Sequence, residues 1–132
     1  MQKIRVMLAS RPKMLSDIIR NMINRQTDMI LVGDVIDPIK LIFATREVSV
    51  DVVIVTPPLN ANGEPRICNH LLYVHPQLIV VTLSSKGEAA YLYQSGRTRV
   101  HIDEPSADTI LDIIRRSVHK TAVDPNIQMP LV

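Results

Sequence analysis

Polar side chains that could take part in chemistry follow several short apolar runs of this chain. Hydroxyl and guanidinium groups can bind anions, whereas carboxylates can bind cations such as Mg²⁺. A hydroxyl becomes a useful nucleophile only beside a general base, and no such base adjoins Thr56 in the sequence. The pattern therefore favours binding over catalysis. The residues concerned are Ser10, Arg11, Thr56, Thr82, Ser84, Asp103 and Glu104.

No second pattern indicates an active site, a metal site or a cofactor. The four histidines have no ligand spacing with one another or with a cysteine. Cys68 lies on the apolar side of a predicted helix, which is typical of an inert core thiol. The four glycines form no phosphate-binding loop, and the segment 10–13 (SRPK) is a poor flavin loop. We expect a non-enzymatic protein without metal or cofactor.

The elements that position these side chains alternate along the chain. Apolar runs predict five strands, and three- and four-residue apolar spacing predicts helices between them. Residues 88–94 are predicted as a short helix, and Ser106 as the cap of the last helix. Such alternation is typical of βαβ units, so we expect an α/β fold with an open five-stranded parallel sheet between helices. The predicted strands are residues 4–9, 29–32, 51–55, 78–83 and 98–102.

Length, charge and cysteine content indicate the number of domains, the classes of partner and the compartment. The chain has 132 residues, 46% of them hydrophobic, which suits one domain. Residues 1–120 are predicted to form it, and residues 121–132, with two prolines and no periodicity, a tail or linker. A net charge of +2 indicates no electrostatic capture of nucleic acid or membrane. The lone cysteine suits a reducing compartment, so we expect a cytoplasmic protein.

The order of elements resembles the receiver domain of bacterial response regulators, in particular receivers of the NarL/LuxR class. The resemblance covers residues 4–119 and is carried by IRVMLASRPKMLSDIIRNMI, TDMILVGDV and VDVVIV. It implies a CheY-like (βα)5, flavodoxin-like fold whose five parallel strands lie in the order 2-1-3-4-5. It also implies a metal-binding acidic pair after the first strand, a phosphorylated Asp after the third, a Thr or Ser on the fourth and a Lys after the fifth.

This chain departs from that family pattern at most of these positions. The acidic pair falls on Ser10 and Arg11, and the acceptor Asp falls on Thr56. The Thr/Ser position is filled by Thr82 or Ser84, and the Lys falls on Asp103 or Glu104. Metal ligand, acceptor and counter-charge are thus all lost, which predicts a pseudo-receiver. The exchanged signs also suggest a hypothesis, an ion pair between Arg11 and one of these acids.

These departures favour a phosphorylation-independent module that docks a protein partner or a second copy. In receivers such contacts use the face of the fourth helix, fifth strand and last helix, and a longer chain can carry a C-terminal effector domain. The alternatives for this face are an interface or an ordinary solvated surface. A further alternative function is a sensor that binds a small molecule in the emptied pocket. The candidate interface residues are Tyr91, Tyr93, Arg97, Arg99, Arg115 and Arg116.

Overall fold

A computed structural model describes residues 3–9, 13–35, 38–56, 66–84 and 88–128. Within these ranges the chain forms strands and helices in the order β1, α1, β2, α2, β3, α3, β4, β5, β6, α4. The strands are β1 (Ile4–Ala9), β2 (Met29–Asp34), β3 (Val52–Val55), β4 (Ile79–Leu83), β5 (Ala90–Gln94) and β6 (Val100–Ile102). The helices are α1 (Lys13–Asn24), α2 (Pro38–Glu47), α3 (Arg66–Val74) and α4 (Ala107–Gln128).

The strands form one mixed sheet in the order β2-β1-β3-β4-β5-β6. The first four strands are parallel, and their predicted order 2-1-3-4 is confirmed. The predicted all-parallel sheet of five strands is wrong beyond β4, because β5 is antiparallel to β4 and β6 is antiparallel to β5. The fold is therefore α/β with a parallel half and a two-strand antiparallel extension.

The error lies in the segment predicted as the fourth helix. Ala90 and Leu92 are buried while Tyr91 and Tyr93 lie on the opposite face, which is the two-residue period of a strand. Gly96, with a φ of 74°, then allows the tight turn into the next strand. The alternation in AYLYQ and the Ser-Gly turn were the available signals. They favour a hairpin over a helix.

Two apolar layers hold the sheet, one on each face. One layer joins α1 and α4 to the sheet through residues such as Ile19, Ile23 and Ile114. The other joins α2 and α3 through Leu41 and Leu71. All four residues of β3 are fully buried, as expected for a central parallel strand with helices on both faces.

Helix α4 begins at a reciprocal cap. The Ser106 hydroxyl accepts the Thr109 N–H at 3.2 Å, and the Thr109 hydroxyl accepts the Ser106 N–H at 2.7 Å. The predicted cap is thus confirmed. The helix continues past Lys120 to Gln128, although a linker role for residues 121–132 stays a prediction. In the described ranges no helix combines the length and apolar character needed to cross a membrane.

Candidate functional site

Thr56 lies where the resemblance expects the phosphorylated Asp. It follows β3 directly, and its N–H donates to the Ala9 carbonyl at 3.0 Å, which ties the end of β3 to the end of β1. Its hydroxyl oxygen exposes less than 1 Å² and has no hydrogen-bond partner among the described residues. A buried hydroxyl that has no base beside it in the described part of the chain is a poor nucleophile.

Thr82 and Ser84, the two candidates on the fourth strand, differ in what their hydroxyls do. Thr82 is buried within β4, where it pairs with Val55 in the neighbouring strand. The Ser84 hydroxyl accepts the N–H groups of Glu88 at 3.0 Å and Ala89 at 3.1 Å. Ser84 therefore closes the turn into β5. Of the two candidates for the Thr/Ser position, this leaves Thr82, which lies on the strand next to the one that Thr56 follows.

The acidic residues after β6 lie far from Thr56. Strands β4 and β5 separate β6 from β3, and three interstrand spacings amount to about 14 Å. Asp103 is 90% exposed and lies 3.1 Å from His101 Nδ1. Glu104 adopts a φ of 47°, and its carbonyl accepts the Thr109 hydroxyl. Because β5 is inserted, these acids sit one strand further out than the receiver-like arrangement predicts.

Ser10 and Arg11, which stand at the positions of the acidic pair in receivers, lie outside the described residues. The proposed ion pair between Arg11 and Asp103 or Glu104 stays a prediction. Four interstrand spacings, about 19 Å, separate the ends of β1 and β6. The flanking loops would have to bridge that distance for the pair to form.

Cys68 is fully buried in α3, as predicted for a core thiol. Burial raises the pKa of its thiol to about 12, so the reactive thiolate is not populated near neutral pH. The described ranges contain no cluster of three or more His, Cys, Asp or Glu side chains placed to hold a metal ion.

A stripe of ring and guanidinium groups lies on the β5–β6 surface. We call Tyr91, Tyr93, Arg99 and His101 the tyrosine stripe. The Arg99 guanidinium carbon lies 4.8 Å above the centre of the Tyr91 ring, a cation–π contact. The Tyr91 ring centre is 5.0 Å from that of His101 and 6.5 Å from that of Tyr93. Partly exposed tyrosines beside an arginine are common in protein interfaces.

Arg115, predicted to belong to the same surface, makes an internal contact. Its guanidinium donates to both carboxylate oxygens of Asp28, at 2.7 and 2.9 Å, and to Gln26 Oε1 at 2.6 Å. These hydrogen bonds lower the pKa of Asp28 and raise the pKa of Arg115. The contact fastens α4 to the segment before β2.

Arg116 likewise lies apart from the stripe, and Arg97 stands at the turn between β5 and β6. Arg116 pairs with Asp112 on the exposed side of α4 at 3.1 Å. Arg97 follows the Gly96 turn, and its N–H donates to the Gln94 carbonyl. Because α4 packs on the sheet face opposite Tyr93, the structure divides the predicted patch between two sides of the sheet.

The sequence patterns gave no indication of a groove at the amino-terminal ends of the central strands. It has a volume of about 720 Å³ and lies where chain segments enter β3 and β4. Its lining includes Val50, Asp51, His75, Leu78 and Val118. The Asp51 carboxylate is engaged by the Arg5 N–H at 2.9 Å, whereas His75 Nε2 is buried without a partner among the described residues. In the sequence, His75-Pro76 marks only a helix end.

Comparison with known proteins supports the fold alone. No protein-family model and no curated protein matches this sequence. Among solved structures, the RcsB response regulator of Salmonella typhimurium, described for its conformational dynamism in DNA interaction, matches with a TM-score of 0.53 and 20% identity. The match covers 64% of this chain and 44% of that chain. The chain therefore has a receiver-like α/β fold and spans less than half of that relative.

Proposed function

We propose that this chain is a non-catalytic, receiver-like signalling module that works without Asp phosphorylation. Its output is contact with a protein partner or with a second copy. The observation that carries the proposal is Thr56, which stands at the end of β3 where the phosphorylated carboxylate is required. Its hydroxyl oxygen is buried, which restricts the approach of a phosphodonor, and a hydroxyl cannot form the acyl phosphate that an Asp forms.

The surroundings of Thr56 support the same proposal. The Ser84 hydroxyl is occupied by two turn N–H groups. No lysine follows β6, where Asp103 and Glu104 stand. Two carboxylates would repel a phosphoryl group, and they lie about three strand spacings from Thr56. Loss of acceptor and counter-charge together removes the phosphorylation switch.

The decisive experiment is incubation with acetyl phosphate and Mg²⁺, and separately with beryllofluoride. Intact mass and two-dimensional NMR are then recorded, with a phosphorylatable receiver as positive control. We expect no added mass and no Mg²⁺-dependent shifts. An adduct would contradict the proposal, and repeating the assay on Thr56→Val would show whether Thr56 carries it.

We propose that this chain binds a protein and does not itself bind DNA. The net charge of +2 gives only a weak electrostatic attraction for a polyanion such as DNA. In the tyrosine stripe, the Arg99 guanidinium lies against the Tyr91 ring. A gel-shift titration of this chain with random duplex DNA at 150 mM salt, about the physiological ionic strength, should show no binding.

Small-molecule sensing is the second candidate. The groove that His75 helps to line favours it, since His75 Nε2 is a buried polar atom without a partner among the described residues, and such atoms are rare in folded proteins. This groove lies at the amino-terminal ends of β3 and β4, whereas the emptied pocket of the receiver-like arrangement would lie at their carboxyl-terminal ends. A saturable thermal shift with a metabolite, lost on Val50→Trp and kept on Val100→Trp, would favour this candidate.

A further inference from the structure

We propose that β6 is a homodimer edge, at which two copies of this chain pair their β6 strands antiparallel about His101. The inference rests on the proposed docking function and names its partner, a second copy. The pairing would join two six-stranded sheets into one continuous sheet through a two-fold axis.

The first argument is the position of β6. It is the last strand of the sheet and pairs with β5 alone, through residues 100–102. No described strand lies along its outer side, and Val100 is 46% exposed there. An edge strand of this kind presents a row of backbone donors and acceptors to any chain that can match it.

The second argument is the self-complementary order of its side chains. In an antiparallel pair centred on His101, Val100 lies opposite Ile102 of the other copy. Arg99 then lies opposite Asp103 of the other copy, and the two-fold axis repeats both pairs. Opposite charges meet on one face and apolar side chains on the other, and both kinds of cross-strand pair stabilise a sheet.

Charges on an edge strand usually prevent such pairing, because like charges meet when two copies approach. Here the two charges have opposite signs and stand at equal distances from His101, so they attract. They also share a face with the tyrosine stripe, as shown by Arg99 above the Tyr91 ring and by Asp103 beside His101. The stripes of two copies would thus become adjacent across the axis.

A register shifted by two residues would instead centre the pair on Val100. It would place Arg97 opposite Asp103 and Arg99 opposite His101. Arg97 distinguishes the two registers, because in the proposed one it faces Pro105 and no charge. Arg97→Asp is therefore a matched control that makes the same charge change two residues from the proposed contact.

The test is sedimentation equilibrium or light scattering over a concentration series, followed by charge reversal. We expect a weak wild-type dimer, since a strand-edge contact is small. Arg99→Asp and Asp103→Arg should each raise the dissociation constant at least about tenfold, because each creates two like-charge contacts per homodimer. Arg97→Asp should leave the dissociation constant unchanged.

Mixing the R99D and D103R chains provides the sharpest step. One chain is acidic at both positions and the other is basic at both, so the mixture restores opposite charges in every pair. A heterodimer should form although each variant alone is monomeric. Misfolding cannot produce this result, because recovery requires both chains to be folded.

Three outcomes would overturn the inference. The first is a wild type that stays monomeric up to about 1 mM, a concentration equal to the dissociation constant of a very weak complex. The second is a dimer whose dissociation constant is unchanged by R99D and D103R, and the third is the absence of a heterodimer on mixing. The acetyl phosphate experiment is independent of all three outcomes. A dimer that ignores these substitutions refutes this edge but keeps the docking proposal, whereas a phosphoryl adduct refutes the proposed function whatever the oligomeric state.

Discussion

Replacing Arg115 tests whether this arginine fastens α4 within the chain or serves a partner. Arg115→Met keeps most of the side-chain stem and removes the guanidinium that bridges to Asp28 and Gln26. Asp28→Asn removes the opposite charge at nearly constant size. The two single variants and the double variant together form a double-mutant cycle.

The expected magnitude follows from the geometry. Two charge-assisted hydrogen bonds join Arg115 to Asp28, and each such bond stabilises by about 1.5–3 kcal/mol in a buried setting. The two side chains are 35% and 32% exposed, so solvent screening reduces this. We expect Arg115→Met to lower the free energy of unfolding by about 1–2 kcal/mol, with a coupling energy of about 1 kcal/mol in the cycle.

The pH dependence has a defined sign. The folded-state pKa of Asp28 is lowered, mainly by the hydrogen bonds from Arg115. The stabilisation is therefore fully present above the unfolded-state carboxyl pKa, about 4, and is lost as pH falls through the folded-state pKa. Urea unfolding at pH 7 should separate wild type from Arg115→Met, and the gap should narrow below about pH 4.

An unchanged urea midpoint for Arg115→Met, or a gap that does not depend on pH, would refute this reasoning. Arg116→Met is the matched control. Its partner Asp112 is four residues away on the same helix and both side chains are largely exposed, so less than about 0.5 kcal/mol is expected. Unchanged dimerisation of Arg115→Met would further separate the ion pair from the β6 edge.

Three other substitutions or reactions test the site. Thr56→Val should raise the free energy of unfolding by about 1 kcal/mol in urea titration, because it removes a buried hydroxyl without a described partner. A loss of that size would instead reveal a hydrogen bond to this oxygen. Ser84→Ala should lower it by about 1–2 kcal/mol, because two turn N–H groups lose their acceptor; Ser84→Thr, which keeps the hydroxyl, should recover most of the loss. Cys68 should resist a thiol reagent at pH 8 in the native protein and react once unfolded, because burial raises its pKa to about 12. Rapid native labelling would show that α3 opens.

The parallel half of the sheet was predictable because its signals are local. Val52–Val55 is a continuous apolar run between turn residues, and only a strand with helices on both faces buries all four side chains. The cap at Ser106 and the burial of Cys68 follow from equally local patterns. The absent carboxylate at Thr56 is visible in the sequence itself.

The segment 90–94 was not predicted correctly because a short apolar run does not by itself separate a strand from a weak helix. The resemblance to receivers, which place a helix there, favoured the helix. What decides the conformation is the edge of β4, which offers backbone groups for Ala90–Gln94 to pair with. The alternation in AYLYQ is compatible with a strand, but the edge it pairs with is available only because β4 is itself positioned by its pairing with β3.

The sequence by itself determined the layered α/β architecture and the absence of a carboxylate at position 56, because both depend on residue types at local positions. Only the tertiary structure decided which polar groups meet. Antiparallel pairing of β5 moved Asp103 away from Thr56, and α4 carried Arg115 to Asp28. It also placed β6 at the sheet edge, where Arg99 and Asp103 stand on either side of His101. Distances between such groups depend on strand order and direction, which backbone hydrogen bonds between remote segments fix.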